Sequence, residues 1–201
     1  MRNVGPMLPR HQHDLIAMPT TVTLDDNIIG VGSEVLHSLR QSLARDLGEN
    51  AAVYLQEAGF AAGQQVYDCF LNWLPSFAGV DDPSDLDVST LGEVLSAFFE
   101  ALGWGSLSVD EAGKGALMIT APNWAEAGPT GSTQQPSCYV SSGMLADFLG
   151  RLSSMPVAVM EVECRTQADG HCRFIAGAPQ TLEAVFEALA AGKSYESALI
   201  D

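Results

Sequence analysis

The chain has 201 residues, 47% hydrophobic and only 17% charged. That length suits one domain with a substantial core, and the composition excludes a disordered chain. Twenty-five acidic against nine basic side chains leave a formal net charge of −16 at pH 7, which excludes nucleic acid and anionic membrane as expected partners.

Residues 1–20 hold several prolines and little periodicity, and are read as a flexible N-terminal tail in which His11 and His13 are solvated. No continuous apolar segment marks a secretory signal there, and no apolar run is long enough to span a bilayer. A cytoplasmic location is therefore expected, and residues 21–201 are read as a single domain with a C-terminal helix.

A first helix is predicted from a capping Ser33, with Leu36, Leu39, Leu43 and Leu47 as its apolar stripe and Gly48 as its stop. His37 flanks that stripe. A second, long helix runs from Asn50 to Pro75 and carries Leu55, Gly59, Ala62, Val66, Phe70 and Leu74. Its Gly59-x-x-x-Gly63 costs helix propensity, which predicts close packing against another element or a ligand. Cys69 reads as a small buried hydrophobe.

The acidic stretch 81–85 is a solvated connection to a third helix bearing Leu91, Leu95, Phe98 and Leu102. Ser106–Asp110 and Ala116–Thr120 then form an antiparallel hairpin. Residues 121–137 make a long polar loop around Trp124, of the kind that serves as a lid or binding segment. A helix over Cys138–Leu152, a strand from Pro156 to Cys164, a return strand to Ala176 and a helix capped by Thr181 complete the chain. Strands gather in hairpins and helices run together, so the expected fold is α+β, an antiparallel sheet packed against helices.

The chemistry gathers at Glu161–Phe174. Cys164 and Cys172 flank a polar turn in a predicted hairpin, and Cys138 lies upstream. Three thiols and a carboxylate can close a tetrahedral zinc site; in a reducing compartment spaced thiols bind metal more often than they cross-link. A disulfide between Cys164 and Cys172 is the alternative, and His171 and Glu163 are spare ligands. Glu161 and Cys164 are three apart, so a regular strand aims them at opposite faces. The strand must therefore end, bulge or twist near Glu163 for both to reach one ion.

Glu161-x-x-Cys164 and Gly170-x-Cys172-x-Phe174, with Cys138 upstream, resemble the V4R (4-vinyl reductase-like) domain, and in particular its version in bacterial phenol-sensing regulators, over residues 30–178. The resemblance implies a helix-and-antiparallel-sheet fold shared with trafficking-complex subunits. It also implies a zinc ion held by Cys138, Glu161, Cys164 and Cys172. Because a site closed by four ligands keeps no position for reacting water, that zinc is expected to be structural.

A pocket for a small apolar or aromatic ligand is predicted between sheet and helices, lined by Phe98, Phe99, Trp104, Leu117, Trp124, Tyr139, Met144 and Phe148. In the phenol sensors a strand tryptophan and a histidine fix the ligand's hydroxyl. Thr120 falls near that tryptophan's position, and the histidine has no counterpart. No nucleophile elbow, dinucleotide fingerprint or paired metalloprotease histidines occur, so no catalytic residue is assigned and an enzyme is not expected, vinyl reduction included.

The expectation is thus a free-standing sensor domain, homodimeric and signalling through a protein partner. The alternatives are a scaffold protein with no exchangeable ligand, or an accessory or carrier factor in tetrapyrrole (bacteriochlorophyll) metabolism.

Overall fold

A computed structural model describes residues 28–129 and 131–200; the tail assigned to residues 1–20 lies outside them. Helix α1 spans Ser33–Leu47, α2 Ala51–Ala78, α3 Val88–Ala101 and α4 Tyr139–Ser153. Strands β1 Ser108–Gly113 and β2 Ala116–Ala121 precede α4. Strands β3 Ala158–Glu163 and β4 Cys172–Gly177 follow it, and then α5 Pro179–Ala190 and α6 Glu196–Leu199.

The four strands form one antiparallel sheet in the order β1-β2-β4-β3. Alternation divides its residues between two faces. Ile119, Ala121, Phe174 and Ala176 pack with α2, α3 and α4 in the main core, while Ala116 and Ile175 pack with Leu182 and Val185 of α5, Leu199 of α6 and Tyr195 just before α6. The expected α+β architecture is present, with helices covering both faces of the sheet.

Two boundaries and one helix face differ from the sequence reading, each for a local reason. Helix α2 continues through Pro75 to Ala78 and stops at Gly79, whose left-handed backbone lets its N–H reach the Pro75 carbonyl. Trp73 stacked on Phe77 at 4.2 Å holds that last turn together. Helix α5 starts at Pro179, whose fixed φ suits a first helical position, rather than at a Thr181 cap. Helix α1 turns His37 and Arg40 inward, while Leu39 and Leu47 of the predicted stripe are exposed.

Helices α2 and α4 meet at glycines. A Cβ on Gly59 would lie 2.0 Å from the Val140 carbonyl oxygen, and one on Gly143 would lie 2.0 Å from that of Gln56. On Gly63 it would meet the Asp147 Cβ at 2.5 Å. The backbones therefore touch without intervening side chains, which is the close packing that Gly59-x-x-x-Gly63 predicted.

Gly143→Ala should destabilise the protein by about 2 kcal/mol or more through overpacking of two backbones. Gly170→Ala, where a Cβ meets nothing within 4 Å, should change stability by less than ~0.5 kcal/mol. Urea denaturation of the two variants checks this, and equal midpoints would contradict the contact.

Candidate metal centre and cavities

The site is assembled around the first turn of α4. A helix start leaves backbone N–H groups unpaired, and here two carboxylates distant in sequence take them. Glu126, from the loop 121–137, accepts from the N–H of Val140 at 2.9 Å and of Ser141 at 2.7 Å, and from the Ser141 hydroxyl. Trp124 Nε1 in turn donates to Ser141 Oγ at 2.6 Å. Glu161 on β3 accepts from the Cys138 N–H at 2.7 Å. Burial pushes the Glu126 carboxyl up, opposed by the hydrogen bonds from Ser141 and Val140 and by the nearby Arg40 charge.

Between Glu161 and Glu163 the β3–β4 register slips: Glu161 lies opposite Phe174, yet Glu163 lies opposite Arg173. Two β3 residues, Val162 and Glu163, thus take one β4 position, which is a bulge. Val162 packs with the α5/α6 side of the sheet and Glu163 pairs with Arg173. Cys164 is thereby returned to the face of Glu161. The required irregularity is present, one residue wide.

Beyond Cys164 the chain makes a 3₁₀ turn over Arg165–Gln167. Asp169 Oδ2 accepts the Cys164 N–H at 2.9 Å, the Thr166 hydroxyl donates to Cys164 Sγ at 2.9 Å, and the Arg165 N–H donates to Cys172. Cys172 then opens β4, opposite Ala121 of β2.

These elements bring three sulfur atoms into a triangle with edges of 3.7, 3.9 and 3.9 Å. Their ligand atoms and one Glu161 oxygen all lie within 4.8 Å of one another. The cysteines are fully buried and unbridged; a disulfide would need sulfurs about 2.05 Å apart. Metal–sulfur bonds of about 2.3 Å in a tetrahedron, as zinc forms, set sulfurs about 3.8 Å apart. The second Glu161 oxygen, Oε1, is buried and finds no hydrogen-bond partner among the described residues. The donor set and its spacing fit a tetrahedral cation.

Electrostatics agree with that fit. Burial, then the Cys164 charge, pushes the Glu161 carboxyl up to about 8. Hydrogen bonding to Cys164 and Cys172, and then burial, pushes the Cys138 thiol up. The Cys164 thiol is drawn down because Cys138, Cys172 and Thr166 all direct hydrogen bonds at its sulfur. Without a cation, burial permits little of the negative charge these four groups could carry.

The spare ligands are engaged elsewhere. His171 Nε2 lies 2.6 Å from Glu163 Oε2, while Arg173 Nη1 and Tyr195 Oη donate to Glu163 Oε1 at 2.7 and 2.5 Å. Burial raises the Glu163 carboxyl, but the hydrogen bonds from Tyr195 and His171 and the Arg173 charge outweigh it and hold the group below its ordinary value. Cys69 is buried within α2, outside the cluster.

The predicted pocket residues separate. Phe98, Phe99 and Phe148 are fully buried; Phe99 meets Phe98 and Phe148 edge to face, with centroids 5.3 and 5.4 Å apart, and Phe98 and Phe148 are stacked at 6.3 Å. Trp124 packs against Phe99 and Trp104, and Leu117 lies against the same core. Thr120 pairs with Arg173 on the opposite sheet face. Trp104 and Met144 do line a cavity of about 470 Å³, together with Ile28, Leu36, Val66 and Val140. Tyr139 lines a different cavity, of about 510 Å³, beside Arg40.

Glu126, Arg40 and the Ile28–Leu36 wall were not anticipated. An acid in a polar loop and an arginine on a leucine-rich helix carry no local pattern that marks them as buried. Only the small and apolar residues Ala62 and Val66 on the glycine face of α2 signalled a gap there.

Residues 119–178 match the V4R domain family model. Among solved structures, the phenol-responsive sensory domain of the transcription activator PoxR with phenol is 18% identical, with a TM-score of 0.60 over 81% of this chain and 82% of that one. A trafficking protein particle complex subunit 3 from Naegleria fowleri, covalently bound to palmitic acid, is 16% identical, with a TM-score of 0.56 over 72% and 91%. A vinyl-4-reductase family protein from Methanocaldococcus jannaschii gives 18% and 0.48 over 75% and 83%. No curated protein matches the chain. The family resemblance read from the ligand spacing is also the one the family model finds: residues 119–178 match the V4R domain, and all four clustered side chains lie within them.

Proposed function

We propose that this chain is a small-molecule sensor domain, a single unit over residues 21–201, whose four clustered side chains hold a structural zinc ion. A small apolar or aromatic ligand occupies the cavity at Trp104 and Met144. The observation that carries this reading is that both features meet on α4. Cys138 immediately precedes its first turn, while Val140 and Met144 line the cavity. Zinc on Cys138, Glu161, Cys164 and Cys172 leaves no position for reacting water, so its task is to fasten α4 to the β3–β4 hairpin. A ligand against Val140 and Met144 then acts on a helix anchored at one end.

The other walls of the cavity include Ile28–Val31 and the start of α1, and the loop 121–137 expected as a lid contributes Ala125. That loop is tied down by Glu126 at α4 and by the Thr133 N–H on the Thr166 carbonyl at 3.1 Å. Ligand binding therefore acts on α1, whose exposed Val35 and Leu39 offer an apolar surface to a second copy or another protein. The role is binding, not catalysis, and the reduced thiols suit the cytoplasm. A scaffold with a filled core gains support from the packing of Phe98, Phe99 and Phe148, and the ligand test below separates it from the sensor.

Protein purified under reducing conditions should contain one zinc per chain by elemental mass spectrometry. Cys172→Ser should lose most of it, and Cys69→Ser should keep it. Chelation should lower the melting temperature by roughly 10 °C or more, because the metal's binding energy is folding energy. A metal-free wild type of unchanged stability would sink this half of the reading.

For the ligand, a neutral fluorescent probe such as N-phenyl-1-naphthylamine should bind. Ala62→Trp, at a solvent-accessible position on the cavity wall, should weaken it about tenfold or more by filling the space. Failure of the wild type to bind apolar probes would leave the scaffold standing.

A further inference from the structure

The second cavity, of about 510 Å³, has a different character. Arg40, Thr133, Gln134, Gln135, Ser137 and Tyr139 are among its walls, and no Asp or Glu lines it. In a chain with 25 acidic side chains and nine basic ones, a cavity with a cation and no carboxylate on its walls is a marked local inversion of charge.

Arg40 is 6% exposed. Its Nη1 donates to the carbonyl oxygens of Glu126 at 3.2 Å and Ser137 at 3.3 Å. Neither partner carries charge, and among the described residues no ion pair joins the guanidinium to a carboxylate. The nearby Glu126 carboxylate is committed to the first turn of α4 through three hydrogen bonds. A buried charge without a counter-charge is costly. A guanidinium offers five donors in a planar fork, so the two carbonyls do not exhaust it.

We propose that this cavity binds a small organic monocarboxylate. Its carboxylate pairs with Arg40, helped by the side-chain amide donors of Gln134 and Gln135, and its body lies against the Tyr139 ring. One cation calls for one negative charge, which favours a carboxylate over a phosphate dianion, and carboxylate matches the guanidinium fork. The volume falls in the range of ordinary small-molecule sites and far exceeds a carboxylate alone. The wall also adjoins the metal centre. Ser137 Oγ lies 2.9 Å from Thr166 Oγ1, which donates to Cys164 Sγ. Occupancy of this cavity is independent of the apolar cavity and of the metal's identity.

Benzoate, its neutral isostere benzamide, and inorganic phosphate, titrated calorimetrically into the full chain, test the proposal. Benzoate should bind about tenfold or more tightly than benzamide and more tightly than phosphate, with affinity falling as salt is raised. Gln135→Glu puts a competing carboxylate on the wall without touching the Arg40 carbonyl bonds. It should cost about tenfold or more in benzoate affinity while the melting curve holds. Ala62→Trp, in the other cavity, should leave benzoate binding unchanged. Equal binding of benzoate and benzamide, tighter binding of phosphate, or benzoate binding indifferent to Gln135→Glu would each overturn it.

Discussion

Three thiols and a carboxylate are buried within a few ångströms of one another at the start of α4, and low polarity around them resists the accumulation of their charge. The arrangement is stable as a neutral hydrogen-bonded cluster or as a ligand set for a cation, and its sulfur spacing is that of the second. Much of the neighbouring architecture serves this convergence. The bulge at Val162–Glu163 re-aims Cys164, Asp169 fixes the turn beyond it, and β4 delivers Cys172 across the sheet from Ala121.

The same place solves a second problem. The first turn of α4 is buried, so its orphan N–H groups lack water, and each unpaired one costs about 1–3 kcal/mol. Glu126 and Glu161 supply the acceptors from a loop and a strand, with carboxyl oxygens set at the positive end of the helix dipole. Further along α4, Gly143 meets α2 backbone to backbone. Fixed at its N-terminus and packed without side-chain slack against α2, α4 is the rigid axis of the helical layer. The sheet's other face has its own polar fastening, Glu163 with His171, Arg173 and Tyr195, which explains why two plausible ligands stay out of the centre.

The cluster was legible in the sequence because cysteines are few and their chemistry is narrow. Even the bulge followed from the three-residue offset of Glu161 and Cys164 against a two-residue strand period. The antiparallel hairpins and the glycine contact were legible for similar reasons, since period and missing side chains constrain geometry directly. The face of α1 was not. Leucines at 36, 39, 43 and 47 set a stripe, but Arg40 finds carbonyl oxygens across 86 and 97 residues of sequence, which local periodicity does not register. The aromatic side chains marked the right layer: Phe98, Phe99 and Phe148 pack on one another, while Trp104 lines the apolar cavity. Glu126 gave no signal, because its value lies in a helix start that arrives only on folding.

Helices α1 and α4 are fastened unequally. Helix α4 is held by Cys138 of the buried cluster at its start, by two carboxylates and by α2. Helix α1 is held by the inward edge of Leu36, His37, Arg40 and Leu43, and exposes Val35, Leu39 and Leu47. Both cavities open between these unequal partners, with Leu36 on the wall of one and Arg40, one turn on, on the wall of the other. A bound molecule biases a structure only by its differential affinity for two arrangements. Of the two helices, α1 is the less constrained by burial. Contact made against α4 meets a wall that the buried cluster and the α2 backbone hold in place.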